Sequence, residues 1–118
     1  MRPRSRRWLS DAGAAGRYIQ DKVSGRTIDD YRRDEDLRLI VERKFEVIGE
    51  SIVRIRDHDP VTVARITDFQ KIIGLRTVLA HAYEDVAAEQ MWATIQDSLP
   101  RLIAEVRDIL AGDEPEGP

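Results

Sequence analysis

The sequence predicts an all-α protein, an up-down bundle of four main helices with one or two short extra helices. Apolar residues recur every three or four positions along most of the chain, as on the buried face of a helix. No segment alternates between apolar and polar residues, and no Asn-Gly hairpin or glycine-rich phosphate loop occurs. The 118 residues suit a single domain, and we expect residues 1–112 to form it.

The first helix is predicted from about Ser5 to Lys22, where apolar residues repeat at helical spacing. The Ser24-Gly25 pair ends it, because glycine suits the position just past a helix. The arginines of residues 1–7 are consistent either with a frayed, solvated terminus or with an arm that contacts phosphates. Thr27 is expected to cap a short helical turn that follows.

The second long helix is predicted from Asp34 to the pair at residues 59–60, where proline disfavours helical geometry in the residue before it. Small residues in its stripe, Gly49 among them, would let another helix approach closely. His58 near its end is interpreted as a helix-end residue rather than a metal ligand, since no ligand partner lies four positions on. The predicted buried face comprises Leu37, Ile40, Val41, Lys44, Val47, Ile48, Ser51, Ile52 and Ile55.

A third long helix is predicted from about Asp68 to Ala82, after an irregular turn at residues 62–67. Gly74 lies in its middle, where glycine weakens a helix by about 1 kcal/mol relative to alanine. We therefore expect a packing reason for this glycine, namely contact with the surface around Gly49.

The last helix is predicted from about Ala87 to Leu110, and Pro100 should kink it or split it in two. Residues 113–118 are acidic and rich in proline and glycine, so we expect a disordered tail. The predicted buried residues of this helix are Trp92, Ile95, Leu99, Leu102, Ile103, Val106 and Ile109.

Composition excludes several classes of protein. The chain has no cysteine, which rules out disulfides and thiolate metal sites, and we expect neither a metal nor a cofactor. No apolar run is long enough to span a membrane, and no apolar segment follows the N-terminal arginines as it would in a secretory signal, so a cytoplasmic protein is expected. A net charge of -3 argues against a protein that coats nucleic acid, but it allows a local positive cleft.

The third helix carries a polar motif within an apolar stripe. A helical period places Arg76 and Tyr83 on the face that also contains Phe69, Ile72, Ile73 and Ala80. Because an unpaired buried charge is unfavourable, either the Arg76 side chain reaches solvent or the stripe lines a cleft. With His81, the motif reads R-x-x-x-x-H-x-Y.

This motif resembles the hallmark of the HepT-like toxins, a branch of the HEPN superfamily of small all-helical ribonucleases. Three further segments are similar to family motifs and occur in the same order. FEVIGES at residues 45–51 is similar to "ExIGEA", IIGLR at 72–76 to "IIGMRN", and MWATI with DSLP at 91–100 to "VWxTV…DLP". The resemblance implies a homodimer with a composite cleft, an RNA substrate and a minimal nucleotidyltransferase antitoxin that adds AMP to Tyr83.

The residue types suit RNA cleavage without a metal, by attack of the 2′-hydroxyl. A histidine such as His81 can move protons, because the ordinary imidazole pKa is about 6.5. Arg76 can engage two phosphate oxygens at once and stabilise their charge. Structural alternatives remain: His81 could interact only with the helix dipole, Arg76 could pair with Glu46 or Glu50, and Tyr83 could simply pack.

Spacing and departures from the family pattern add two expectations. Five residues separate Arg76 from His81, about 140° around an ideal helix, so His81 should lie where the helix ends or the site should combine two chains. Thr77 replaces the Asn or Asp that usually follows the motif arginine in the family, and Ala82 replaces a common glycine. These departures leave an attenuated or inactive enzyme as an alternative. Thr77 is a candidate auxiliary residue. The alternative function is a non-catalytic nucleotide-binding or adaptor subunit of a nucleotidyltransferase complex.

Overall fold

The structure, a computed structural model, describes residues 1–81 and 84–112, without the side chains of residues 81, 84 and 85. Within those residues it contains six helices and no strand. They are α1 (Pro3–Val23), α2 (Ile28–Arg33), α3 (Glu35–His58), α4 (Pro60–Val63), α5 (Phe69–His81) and α6 (Glu84–Gly112). The predicted all-α bundle of four main helices with two short extra helices is thus confirmed. Tyr83 and the predicted tail at residues 113–118 lie outside the described residues.

Capping residues explain why the early helices begin where the sequence predicts. The Thr27 hydroxyl accepts a hydrogen bond from the Asp30 N–H, and the Asp30 carboxylate accepts one from the Thr27 N–H. Asp34 caps α3 in the same way by accepting from the Leu37 N–H. Beyond α1, Gly25 adopts a φ of 74°, which glycine tolerates without steric strain.

The core forms where α1 packs against α3 and α6, while α5 lies at the edge of the bundle against α3 and α6. Glycines in α1 allow the close approach of α6. A Cβ atom at Gly13 would lie 3.1 Å from Val106, and one at Gly16 would lie 3.0 Å from Ile103. The largest fully buried side chains are Leu9, Ile19, Tyr31, Val41, Ile48, Ile52, Ile55, Ile66, Ile72, Met91, Leu99 and Leu102.

Two details of α3 and α6 differ from the sequence prediction. Phe45 was outside the predicted face of α3 yet is buried, whereas Ile40, Lys44 and Val47 of that face are only half-buried. The buried face of α3 is therefore rotated about the helix axis relative to the prediction. α6 runs through Pro100 without a break, so the predicted split is wrong. Proline removes the hydrogen bond that the Gln96 carbonyl would accept, but both residues are exposed and water can satisfy that carbonyl.

The start of α1 is ordered and is bonded to the junction of α3 and α4 through Asp59. The Asp59 carboxylate accepts hydrogen bonds from the Arg2 N–H at 3.2 Å and from the hydroxyls of Ser5 and Thr62 at 2.8 Å each. Burial by itself raises the pKa of the Asp59 carboxyl, but these hydrogen bonds outweigh it and lower the pKa to about 2. The helix from Pro3 onwards is inconsistent with a frayed terminus.

We expect the ionised Asp59 carboxylate to stabilise the fold. An aspartate in an unfolded chain has a pKa of about 3.9, so the lower folded value stabilises the protein above pH 4, and the effect is lost between about pH 4 and pH 2. Asp59→Asn should therefore lower the free energy of unfolding by about 2 kcal/mol at pH 7, and by much less near pH 2, in urea titrations. Asp57→Asn, which removes an exposed carboxylate, is the control. Equal losses at both pH values would contradict this account.

Candidate active-site cleft

The side chain of Arg76 lines a cleft between α3 and α5 with a volume of about 380 Å³. The apolar residues along it include Phe45, Ile72 and Leu75, all buried, which form an apolar floor. Leu79 and Ala80 continue the lining towards the end of α5. Both possibilities for the stripe that carries Arg76 therefore hold, because the stripe lines a cleft and the Arg76 side chain is exposed.

Arg76 is exposed and makes no hydrogen bond or ion pair with any described residue. The acids that could have paired with it bond instead to arginines of their own helix. Glu46 accepts from Arg43 at 3.0 Å, and Glu50 accepts from Arg54 at 2.8 Å. The predicted alternative, a structural ion pair between Arg76 and either glutamate, is therefore wrong, and the guanidinium is accessible to an anion.

Gly49 lies beneath the Arg76 side chain. A Cβ atom built on Gly49 would be 3.2 Å from Cδ of Arg76 and 3.5 Å from its Cγ. The predicted contact between Gly49 and Gly74 is wrong, because Gly74 is exposed and a Cβ atom there would meet nothing within 4 Å. Gly49 on α3 therefore makes room for the Arg76 side chain, and not for a close approach of the α5 backbone.

The other predicted site residues follow Arg76 along α5. His81 is the last described residue of α5, and its side chain is outside the description, so the helix end expected near it stays a prediction. Thr77 is exposed and is absent from the lining of the cleft, so its auxiliary role stays a prediction. Tyr83 lies outside the described residues.

One side of this cleft is acidic, and from the sequence two of its acids, Glu46 and Glu50, were expected only as possible ion-pair partners of Arg76. Glu42, Glu46 and Glu50 recur every four residues on one face of α3, and all three line the cleft. The four-residue spacing was the signal that could have revealed this face. Carboxylates repel phosphate but accept hydrogen bonds from the amino groups of nucleobases.

The chain's other histidine, His58, is not part of the cleft that Arg76 lines. His58 ends α3 and stacks against Trp8, with ring centroids 5.4 Å apart, which supports its interpretation as a structural residue. Among the described residues, no group of three His, Cys, Asp or Glu side chains is placed to hold a metal ion. In the same part of the chain, no helix is long and apolar enough to cross a membrane.

The chain is similar to a known protein family and to two proteins described as predicted RNases. Residues 14–109 match the model of the family described as Ribonuclease HepT-like. A predicted RNase of Caldanaerobacter subterraneus subsp. tengcongensis is 27% identical over 79% of this chain and 82% of its own length. A predicted RNase of Methanocaldococcus jannaschii is 26% identical over 83% of this chain and 80% of its own length. No solved structure matches the chain.

Proposed function

Because the chain belongs to the Ribonuclease HepT-like family, we propose that it is a metal-independent endoribonuclease and the toxin of a type VII-like toxin–antitoxin pair. The observation that carries the proposal is Arg76, an accessible guanidinium in a cleft with an apolar floor, five residues before His81 on the same helix. An arginine without a partner among the described residues is available to a phosphate, and positioned charge of this kind is often the largest catalytic contribution.

In the proposed reaction, His81 removes the proton from a ribose 2′-hydroxyl, and the oxygen attacks the adjacent phosphorus. The bond from phosphorus to the 5′-oxygen breaks, and that oxygen takes up a proton as it leaves. The products are a 2′,3′-cyclic phosphate and a 5′-hydroxyl. Arg76 stabilises the negative charge that builds up on the phosphate oxygens.

A two-fold homodimer fits this chemistry. Arg76 and His81 diverge by about 140° on an ideal helix, so facing motif helices from two copies would bring each arginine towards the other copy's histidine. Two observations support such a dimer: α5 lies at the edge of the bundle, and Gly74 and Thr77 on it are exposed.

The proposed control is adenylylation of Tyr83 by a minimal nucleotidyltransferase antitoxin. Tyr83 follows Arg76 by seven residues and His81 by two in the sequence. An AMP group attached there adds a phosphate that can pair with Arg76 in place of the scissile phosphate. Modification would thus block the cleft by charge and by bulk.

We expect purified protein to cleave RNA in the presence of EDTA and to leave untouched the same oligonucleotide with 2′-deoxyriboses throughout. The deoxy strand is the matched control, since it keeps bases and phosphates but lacks the attacking hydroxyl. Cleavage is followed by gel electrophoresis of end-labelled strands. Loss of cleavage with EDTA, or equal cleavage of both strands, would contradict the mechanism. Nucleotide binding without any cleavage would favour the alternative of a non-catalytic adaptor subunit.

A further inference from the structure

We infer that Gly49 is a positioning residue, because the gap it leaves on α3 receives the aliphatic part of Arg76 and so determines where the guanidinium lies. The catalytic consequence rests on the proposed function, whereas the placement of Arg76 does not. Gly49 is buried in the middle of α3, on a face whose neighbouring residues Phe45, Ile48 and Ile52 are large and buried. The missing side chain at Gly49 leaves a gap in this face, and the aliphatic part of the Arg76 side chain fits into that gap.

The atoms around Gly49 show that the gap fits Arg76 specifically. A Cβ atom there would come within 4 Å of Cδ and Cγ of Arg76, at 3.2 and 3.5 Å, and of no other described residue outside its own helical neighbourhood. The glycines of α1 differ, because Cβ atoms at Gly13 and Gly16 would meet Val106 and Ile103 of α6. Those two glycines serve helix packing, and Gly49 serves one functional side chain.

Glycine at position 49 lowers the stability of α3, and close packing against another helix backbone does not explain its presence there. Glycine is a poor helix former, and alanine at the same place would stabilise α3. At 3.2 Å from Cδ, an alanine methyl group would force Arg76 to move by a few tenths of an ångström, and the branched side chain of valine would displace it further. Small displacements of a catalytic group can reduce a rate by up to about 10²-fold.

The variants Gly49→Ala and Gly49→Val test this inference. We expect Gly49→Ala to keep or raise the melting temperature while cleavage of RNA falls by about 3-fold, and Gly49→Val to reduce cleavage by about 10- to 100-fold. The loss should appear in kcat/KM, since Arg76 contacts the phosphate of the bound RNA and also stabilises its charge in the transition state. Gly112→Ala is the matched control, because a Cβ atom at this helix glycine meets nothing within 4 Å. Wild-type cleavage by both Gly49 variants would overturn the inference.

A double-mutant cycle separates a role through Arg76 from a role in packing. With an RNA that carries a 2′-deoxyribose at the cleaved position, Gly49→Val should weaken binding in the wild-type background and should have no further effect in Arg76→Ala. The truncated arginine also leaves room for valine, so the double variant should recover melting temperature lost by Gly49→Val. Equal effects of Gly49→Val on binding in both backgrounds would overturn the inference.

A readout independent of catalysis completes the test. The arginine Nε–Hε resonance of Arg76, assigned by its loss in Arg76→Ala, should shift in Gly49→Ala and stay unchanged in Gly112→Ala. An unshifted Arg76 resonance in Gly49→Ala would overturn the inference, even if cleavage fell. If the wild-type protein did not cleave RNA, the proposed function would fail. The Arg76 resonance in Gly49→Ala would still determine whether Gly49 positions the Arg76 side chain.

Discussion

His81→Ala and Arg76→Ala should each reduce RNA cleavage by about 10²- to 10⁴-fold and abolish growth arrest on expression, with the fold intact. The first variant removes the proposed proton-transfer group, and the second removes the charge that stabilises the phosphate. Initial rates on a labelled RNA measure both effects, and circular dichroism checks the helices.

The chain supplies a matched control for each variant. His58→Ala removes the other histidine, which stacks on Trp8 far from the cleft along α3, and should leave cleavage unchanged. Arg56→Ala removes an exposed arginine that pairs with Asp57, and it should likewise keep full activity. If His81→Ala protein cleaved RNA as fast as wild type, the assignment of the base would be wrong.

The same two variants test the composite dimer. If each cleft takes Arg76 from one copy and His81 from the other, mixing the two inactive proteins produces heterodimers with one intact cleft. Cleavage should then return to roughly a quarter of the wild-type rate, since half of the dimers are mixed and each has one working site of two. No recovery after subunit exchange, shown by mass spectrometry of the mixed dimers, would indicate that each copy works alone.

Tyr83→Phe should remove neutralisation by the antitoxin almost completely, because phenylalanine has no hydroxyl to accept AMP. Co-expressed with a neighbouring nucleotidyltransferase, the wild-type chain should gain mass in steps of one adenylate unit, and the variant should gain none and still arrest growth. Intact-mass spectrometry and colony counts measure these outcomes.

The other two tyrosines of the chain provide the comparison. Tyr18 is 40% exposed on α1, so Tyr18→Phe tests whether any accessible tyrosine serves as the acceptor, and we expect it to be modified like wild type. Tyr31 is 1% exposed and packs on Trp92, which leaves its hydroxyl inaccessible to a transferase. A neutralised wild-type chain of unchanged mass would mean that the antitoxin acts by binding alone.

The sequence predicted the helices well because their determinants are local. The Thr27 capping box and the Asp34 cap depend on residues three apart, and the apolar period of α1 and α3 repeats over many turns. The predicted split at Pro100 was wrong, because a split depends on whether Gln96, whose carbonyl loses its hydrogen bond, faces solvent. That orientation is set by the packing of α6, which no local pattern contains.

The site was predicted only in part, because a cleft depends on which helices become neighbours. Spacing nominated Arg76, which the structure places in a cleft, whereas the helix end that would be one explanation for the position of His81 stays a prediction. That Gly49 would lie under Arg76, rather than against Gly74, depends on the relative rotation of α3 and α5. Periodicity specifies the face of each helix but not the register between two helices.

The end groups of cleaved RNA test the central claim most directly. Attack by the 2′-hydroxyl must leave a 2′,3′-cyclic phosphate on the upstream fragment and a free 5′-hydroxyl on the downstream one. Mass spectrometry of a short RNA of known sequence, cut in EDTA, should show an upstream fragment lighter by one water than the corresponding 3′-phosphate. Fragments that carry a 3′-hydroxyl and a 5′-phosphate would instead require water as the nucleophile, and would contradict the roles given to Arg76 and His81.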